Sequence, residues 1–246
     1  MYKNFIKVEL KNILRDKLTT FMLFYPIIIG VMGKYLIPWM YKTYPESVNG
    51  GMELIIVVFA LMGGYIYGAL GAFSLLDDRD DGVLSVIDVT AMSTKKYIWV
   101  KLITVYVLAV IGTMFIILFA QSGYGDAFQS ISFLQALNIS LLASMIAMTN
   151  GFLVNSLAKN KVEGFAMMKA TGFLLILPIA ALFFTDWKEI LFAIAPGFYP
   201  AKAVMNIILP MQETFMSFNV YIVLGWLVNI IWLLLAYKLF KRNNSL

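Results

Sequence analysis

Apolar residues gather into six long runs along this chain: Leu18–Trp39, Leu54–Leu76, Ile98–Ala120, Phe133–Leu157, Phe165–Phe184 and Val220–Phe240. Each is about the ~20 residues that a helix needs to cross the hydrocarbon of a bilayer. The polar gaps between them are short, which leaves no room for a sizeable soluble domain. The pattern predicts one all-α membrane domain over residues 1–246, with six transmembrane helices.

Three stretches depart from the runs. Residues 1–17 predict a helix lying on the membrane surface: at about 100° per residue, Tyr2, Ile6, Leu10, Ile13 and Leu14 share an arc. Lys7, Glu9, Lys11, Asn12, Arg15 and Asp16 fall on the other side, and Phe5 and Val8 break the pattern. Between the second and third runs, Leu76–Ser93 carries Asp77-Asp78-Arg79-Asp80-Asp81-Gly82. Charged residues in hydrocarbon cost on the order of 2.5–3.5 kcal/mol each. The chain is therefore expected to leave the membrane here, form a short polar helix over residues 77–93, and return. The segment Thr185–Asn219 is too long for a turn and too apolar for a solvated loop. Pro196-Gly197 and Pro200 divide it into halves too short to span. A broken helical hairpin dipping into the outer leaflet over residues 185–219 is expected.

Composition agrees: 61% of residues are hydrophobic, 13% are charged and the mean hydropathy is +0.82. Soluble domains are nearer 45–50% and 25%. Of nineteen Lys and Arg, only Lys34, Lys42, Lys188 and Lys202 fall on one side of the six spans. The positive-inside rule then puts both termini and the acidic helix in the cytoplasm, in a multi-pass protein of the cell membrane. The net charge of +5 belongs to positions beside apolar runs, where anionic lipid attracts it, and does not indicate nucleic acid. No cleavable leader is expected, because the first run begins only at Leu18 after a charged lead.

The chemistry open to this chain is narrow. It has no Cys and no His, so thiol nucleophiles, imidazole bases and the usual zinc sites are excluded. A calcium-loop reading of Asp77–Asp88 fails at Arg79, a cation where a ligand oxygen is needed, and no metal site is expected. No Gly-x-x-x-x-Gly-Lys-Ser/Thr occurs; Gly30–Tyr35 has the wrong spacing and lies inside an apolar run. The span interiors are read as free of carboxylates, so energy for any transport is expected from outside the chain. Ala60, Gly64, Gly68 and Ala72 recur every four residues in the second span, a stripe suited to helix packing within the chain or to a dimer contact. The fourth span carries Ser140, Ser144, Gly151 and Asn155 on one face and Asn138 and Thr149 on another, and both faces are expected to look into protein.

Asp78-Arg79-Asp80-Asp81-Gly82-Val83-Leu84, followed by Val89-Thr90-Ala91-Met92-Ser93 and by Lys101 in the third span, resembles the signature of the ABC type 2 exporter permeases. Val83 stands where Thr is usual, and Ala91 replaces a Pro. The surface helix, the six spans and the Pro-containing Ala195–Pro200 turn extend the likeness over essentially the whole chain. The resemblance implies a coupling helix that docks on a separate ATPase through Asp78, Arg79, Asp80, Asp81, Gly82, Val83, Leu84 and Ile87, with Val83, Leu84 and Ile87 as an apolar anchor. It implies two ATPase copies that hold ATP and Mg, none bound by this chain, and a second permease, identical or related. It also places the second and fifth spans beside the transport path, which makes Tyr65, Tyr67, Phe165 and Met168 candidates for lining it. Apolar spans rich in aromatic residues and Met point to an amphiphilic cargo: a drug-like compound, a hydrophobic peptide or a lipid-linked molecule. The rivals are a non-transporting membrane adaptor or sensor, and an intramembrane lipid-modifying enzyme, for which no catalytic cluster can be assembled.

Overall fold

The computed structural model describes residues 8–9, 11–44, 52–89, 92–123, 130–208 and 214–244, and every regular element among them is helical. Six helical segments are long and apolar enough to cross a membrane. The first comprises α1 (Lys17–Val31), a π-helical turn (Met32–Leu36) and α2 (Ile37–Thr43). The second is α3 (Met52–Asp80), which hands over at Gly82 to the short α4 (Val83–Asp88). Then come α5 (Thr94–Gln121), α6 (Phe133–Leu157), the pair α7 (Lys161–Ala170) and α8 (Phe173–Ala181), and finally α10 (Phe218–Asn243). A 3-10 turn (Trp187–Phe192) and α9 (Phe198–Ile208) lie between α8 and α10.

Short polar side chains start several of these helices by capping backbone N–H groups that have no partner inside the helix. Asp16 accepts from Thr19 N, Asn160 accepts from Glu163 N, and Ser132 forms a reciprocal capping box with Gln135. The fifth span begins earlier than its apolar run because of the Asn160 cap, and it is not continuous. It breaks at Thr171–Gly172, between α7 and α8. The amphipathic arc at the N-terminus is only partly tested, since Tyr2, Ile6 and Leu10 lie outside the described residues. Within them, Ile13 is buried and Leu14 exposed, and Glu9, expected on the solvated side, is buried.

The axis of the bundle is α6, 78% buried over its apolar window, against 28% for the first span and 22% for the last. The small-residue stripe of α3 packs on it inside the same chain. A Cβ added at Gly64 would stand 2.4 Å from the Ala143 carbonyl, and one at Gly68 would stand 2.9 Å from Asn150 Cβ. Ala60 and Ala72 are buried in the same chain. Ser140, Ser144, Thr149 and Asn155 are buried as expected of polar groups that must avoid lipid, and Asn138 bonds back to the Leu134 carbonyl.

At the end opposite α4, the segment between the fifth and sixth spans forms the expected pair of short elements, the first a 3-10 turn rather than an α-helix. Asn229 donates to the Pro196 carbonyl (3.1 Å) and Trp232 to the Ile194 carbonyl (2.7 Å), so α10 holds the turn between them. This segment also contains an ion pair that was not expected. Glu189 and Lys202 are both fully buried, 2.8 Å apart; Tyr221 donates to Glu189, and Lys202 donates to the Phe184 carbonyl. An unpaired charge at either position would carry a full desolvation cost.

Two outcomes are expected in detergent unfolding experiments. Gly64→Val, which forces α3 away from α6, lowers stability by about 1–3 kcal/mol. Lys202→Met, which strands Glu189, costs about 3–5 kcal/mol, and adding Glu189→Gln recovers much of that loss.

Candidate functional site

The acidic motif is not one exposed helix over residues 77–93. Asp77, Asp78, Arg79 and Asp80 form the last turn of α3, continuous with the second span. The helix stops because Gly82 takes φ 70°, the left-handed region in which a Cβ is strained, and α4 restarts at Val83. Ser85 Oγ caps the reversal by donating to the Gly82 carbonyl at 2.6 Å. Thr90 and Ala91, where the family's Pro would fall, lie outside the described residues.

The first half of the motif turns inward. Asp78 accepts from Lys101 Nζ and from the Tyr97 hydroxyl (2.7 Å), and the same ammonium lies 3.3 Å from Glu9. Ser74 donates to Glu9 at 3.1 Å, and Lys101 also donates to the Ser74 carbonyl. Glu9 and Lys101 are each 1% exposed and Asp78 is 9% exposed, so three elements meet at one buried ionic cluster. Burial pushes the Glu9 carboxyl above its usual range, against the pull of Lys101.

Arg79 points the other way round the same helix. Its guanidinium donates to the Ala158 carbonyl (2.8 Å), the Asn155 carbonyl (3.1 Å) and Asn244 Oδ1 (2.7 Å). These carbonyls close the C-terminus of α6, where the helix dipole favours a cation. Asn243 and Asn244 donate to the Ser156 and Asn155 carbonyls, so the end of α10 is stapled to the same place. On a third side, Lys161 at the start of α7 pairs with Asp77 (2.9 Å) and reaches Asp16 (4.0 Å), and its backbone N–H donates to Asp80. Burial tends to raise the Asp16 carboxyl, but the Thr19 N–H and Lys161 outweigh it and hold it below its usual range.

Val83, Leu84 and Ile87 are half-buried and pack against a cluster that includes Leu75, Tyr97, Ile98 and Phe240. The apolar side of α4 therefore faces its own bundle. Outward-facing residues are Asp80, Asp81, Ser85, Val86 (62% exposed) and Val89 (85%). Beside them opens a polar cleft of about 600 Å³, lined by Asn12, Arg15, Asp16, Asp77, Asp81 and Lys161 among others. Chemically this is a surface of mixed charge with an apolar tip, held by a buried frame.

The remaining candidates separate. Tyr67 is buried and donates to the Leu23 carbonyl (2.9 Å), and Tyr65 donates to the Met168 carbonyl where the fifth span breaks. Met168 is buried, while Phe165 is 44% exposed and packs at a tilt against Phe73, centroids 4.4 Å apart. Four residues gather here that motif reading left out of the site: Glu9, Ser74, Tyr97 and Lys161. The signal for them was Lys101 itself, an ammonium inside an apolar run that needs a carboxylate from another element.

The family model for the fluoroquinolones export permease protein Rv2686c-like proteins matches residues 9–237. Two curated relatives from Mycobacterium tuberculosis, both named fluoroquinolones export permease protein, are each 26% identical over 204 residues. One is from strain ATCC 25618 / H37Rv and the other from strain CDC 1551 / Oshkosh; the match covers 79% of this chain and 78% of each relative.

Arg79→Lys is expected to break the staple, because one ammonium cannot fork across two carbonyls and an amide. Stability falls by about 1–3 kcal/mol, and limited trypsin digestion cuts faster at Lys241 and Arg242 as the end of α10 comes free.

Proposed function

The chain belongs to the Rv2686c-like family of fluoroquinolones export permease proteins, and from that premise we propose that it is the membrane permease of an ATP-driven exporter whose energy enters at α4. It is a multi-pass membrane protein of the export-permease kind. With no nucleotide-binding loop in its sequence, it depends on a companion ATPase, two copies of which sit beneath two permeases in the cell membrane. Both termini and α4 face the cytoplasm, as the positive-inside asymmetry requires. The cargo is an amphiphilic drug-like compound, with fluoroquinolones first in line because the relatives are named for exporting them.

The observation that carries the proposal is the contrast at α4. An exposed tip, Asp81, Ser85, Val86 and Val89, hangs on a frame pinned through Asp78, Arg79 and Lys161 to four other spans. A load applied to such a tip moves the ends of those spans together, which is what a transmitting element needs. Charged neighbours of the tip set orientation and partner choice. The small-residue stripe of α3 is occupied by α6, so contact with a second permease falls on another face.

The test is to co-express the chain with each candidate ABC ATPase subunit of the same cell and to follow association, ATP hydrolysis and efflux of a fluorescent fluoroquinolone. Val86→Asp with Val89→Asp is expected to lower efflux at least tenfold and to weaken association while the permease still reaches the membrane. Unchanged association and efflux in that variant, or no ATPase bound to the unmodified chain, overturns the proposal.

A further inference from the structure

Two carboxylates share one ammonium at the buried meeting point of the N-terminal segment, α3 and α5. We propose that Glu9, Lys101 and Asp78 form a proton-sensitive clasp. Protonated Glu9 holds the N-terminal segment against the α4-bearing end of the bundle, and ionised Glu9 lets it go. This inference stands apart from the export reading and concerns the chain alone.

The charge count sets the direction. Asp78 has the closer contact with Lys101 and also takes the Tyr97 hydroxyl, so it holds the ammonium as its counter-ion. Glu9 stands 3.3 Å from the same nitrogen, with the neutral Ser74 hydroxyl as its other partner. With both carboxylates ionised, the cluster carries one excess negative charge at a place where Glu9 and Lys101 are each 1% exposed. A buried excess charge is strongly unfavourable, and a proton on Glu9 removes it.

Among the described residues the surroundings do not supply a second cation. The charged and titratable groups lining the adjoining cleft are Arg15 and Asp16 from the N-terminal segment, Asp77, Asp78 and Asp81 from the end of α3, Lys101 from α5, and Lys161 from α7. Tyr97 of α5 faces Asp78. Lys161 is paired with Asp77 and Asp16, and Arg15 is exposed. Among the described residues the ion pair of Glu9 is with Lys101 alone. The cleft, about 600 Å³ and lined also by Ser74, gives protons a route to bulk water.

Burial raises the Glu9 carboxyl above its usual range, Lys101 opposes this, and the Asp78 charge adds to it. A carboxyl raised on folding contributes stability that is complete below its ordinary pKa and is lost as pH rises through the raised value. The clasp is therefore closed at low pH and opens with rising pH.

The chain contains no Cys, so introduced pairs can be labelled cleanly. Lys11→Cys with Ser85→Cys places two exposed labels on either side of the clasp. The full-length protein in lipid nanodiscs is spin-labelled and the inter-label distance recorded from about pH 5.5 to about pH 9. With Glu9 in place, one narrow distance at the acid end gives way to a longer, broader population that grows with pH. Adding Glu9→Gln keeps the narrow distance throughout. A distribution that does not change with pH when Glu9 is present, or a pH response that survives Glu9→Gln, overturns the proposal. The first arm leaves the cluster unsubstituted and decides the matter even where the variant folds poorly.

Discussion

Everything at the charged end of this molecule follows from the burial of one ammonium. Lys101 lies two turns into an apolar helix and is 1% exposed. A charge so placed must be neutralised by groups brought from elsewhere, because desolvation costs several kcal/mol per ion. Asp78 therefore turns inward from the last turn of α3 as its counter-ion, Tyr97 and the Ser74 carbonyl complete the shell, and Glu9 of the N-terminal segment comes to lie beside it. With α3 anchored on that side, Arg79 falls on the opposite side, where the open carbonyls of α6 await a cation. The acidic motif is in large part a fastening within the chain.

The other end is fastened by the same physics in a different dress. Glu189 and Lys202 neutralise one another at full burial, with Tyr221 completing the carboxylate's partners and the Phe184 carbonyl those of the ammonium. Among the described residues, the middle of the bundle has no such ion pairs. There α3 and α6 meet through glycine and alanine at distances that leave no space for a side chain. Packing of this kind is held by dispersion and close backbone approach. Ser140, Ser144 and Asn150 sit there buried, with side-chain polar atoms that find no partner among the described residues.

Much of the fold was legible in the sequence, since run length and polarity decide what can cross hydrocarbon. The six runs correspond to the six spans, and Pro196-Gly197 falls where the segment between the fifth and sixth spans turns. Less legible was anything that depends on which element meets which. Glu9 belongs to the polar arc of its own helix, and only the position of Lys101 on another helix makes it a buried residue. The motif at Asp78–Leu84 marked where the second span ends but not which way its side chains turn, because a charged run looks the same whether it faces solvent or caps a neighbour's carbonyls. The carboxylate at Glu189 was missed because its partners, Lys202 on α9 and Tyr221 on α10, are brought to it only by the fold. The break at Thr171–Gly172 was hidden by an apolar run that continues on both sides.

The fastenings also constrain how such a body can move. Asp78, Arg79 and Lys161 tie the end of α3 to α5, α6, α7 and α10, so the ends of these helices cannot shift independently without exposing a charge or orphaning a carbonyl. Rigid displacement of the whole end keeps every one of these contacts. Compliance must then come from elements outside the network: the π-helical turn at Met32–Leu36, the break at Thr171–Gly172 and the left-handed Gly82. Two of these interrupt the first and fifth spans part-way along their length, and the third sits at the root of α4. Displacement of the fastened end is taken up as bending in the first and fifth spans, while Gly82 lets α4 turn against that end.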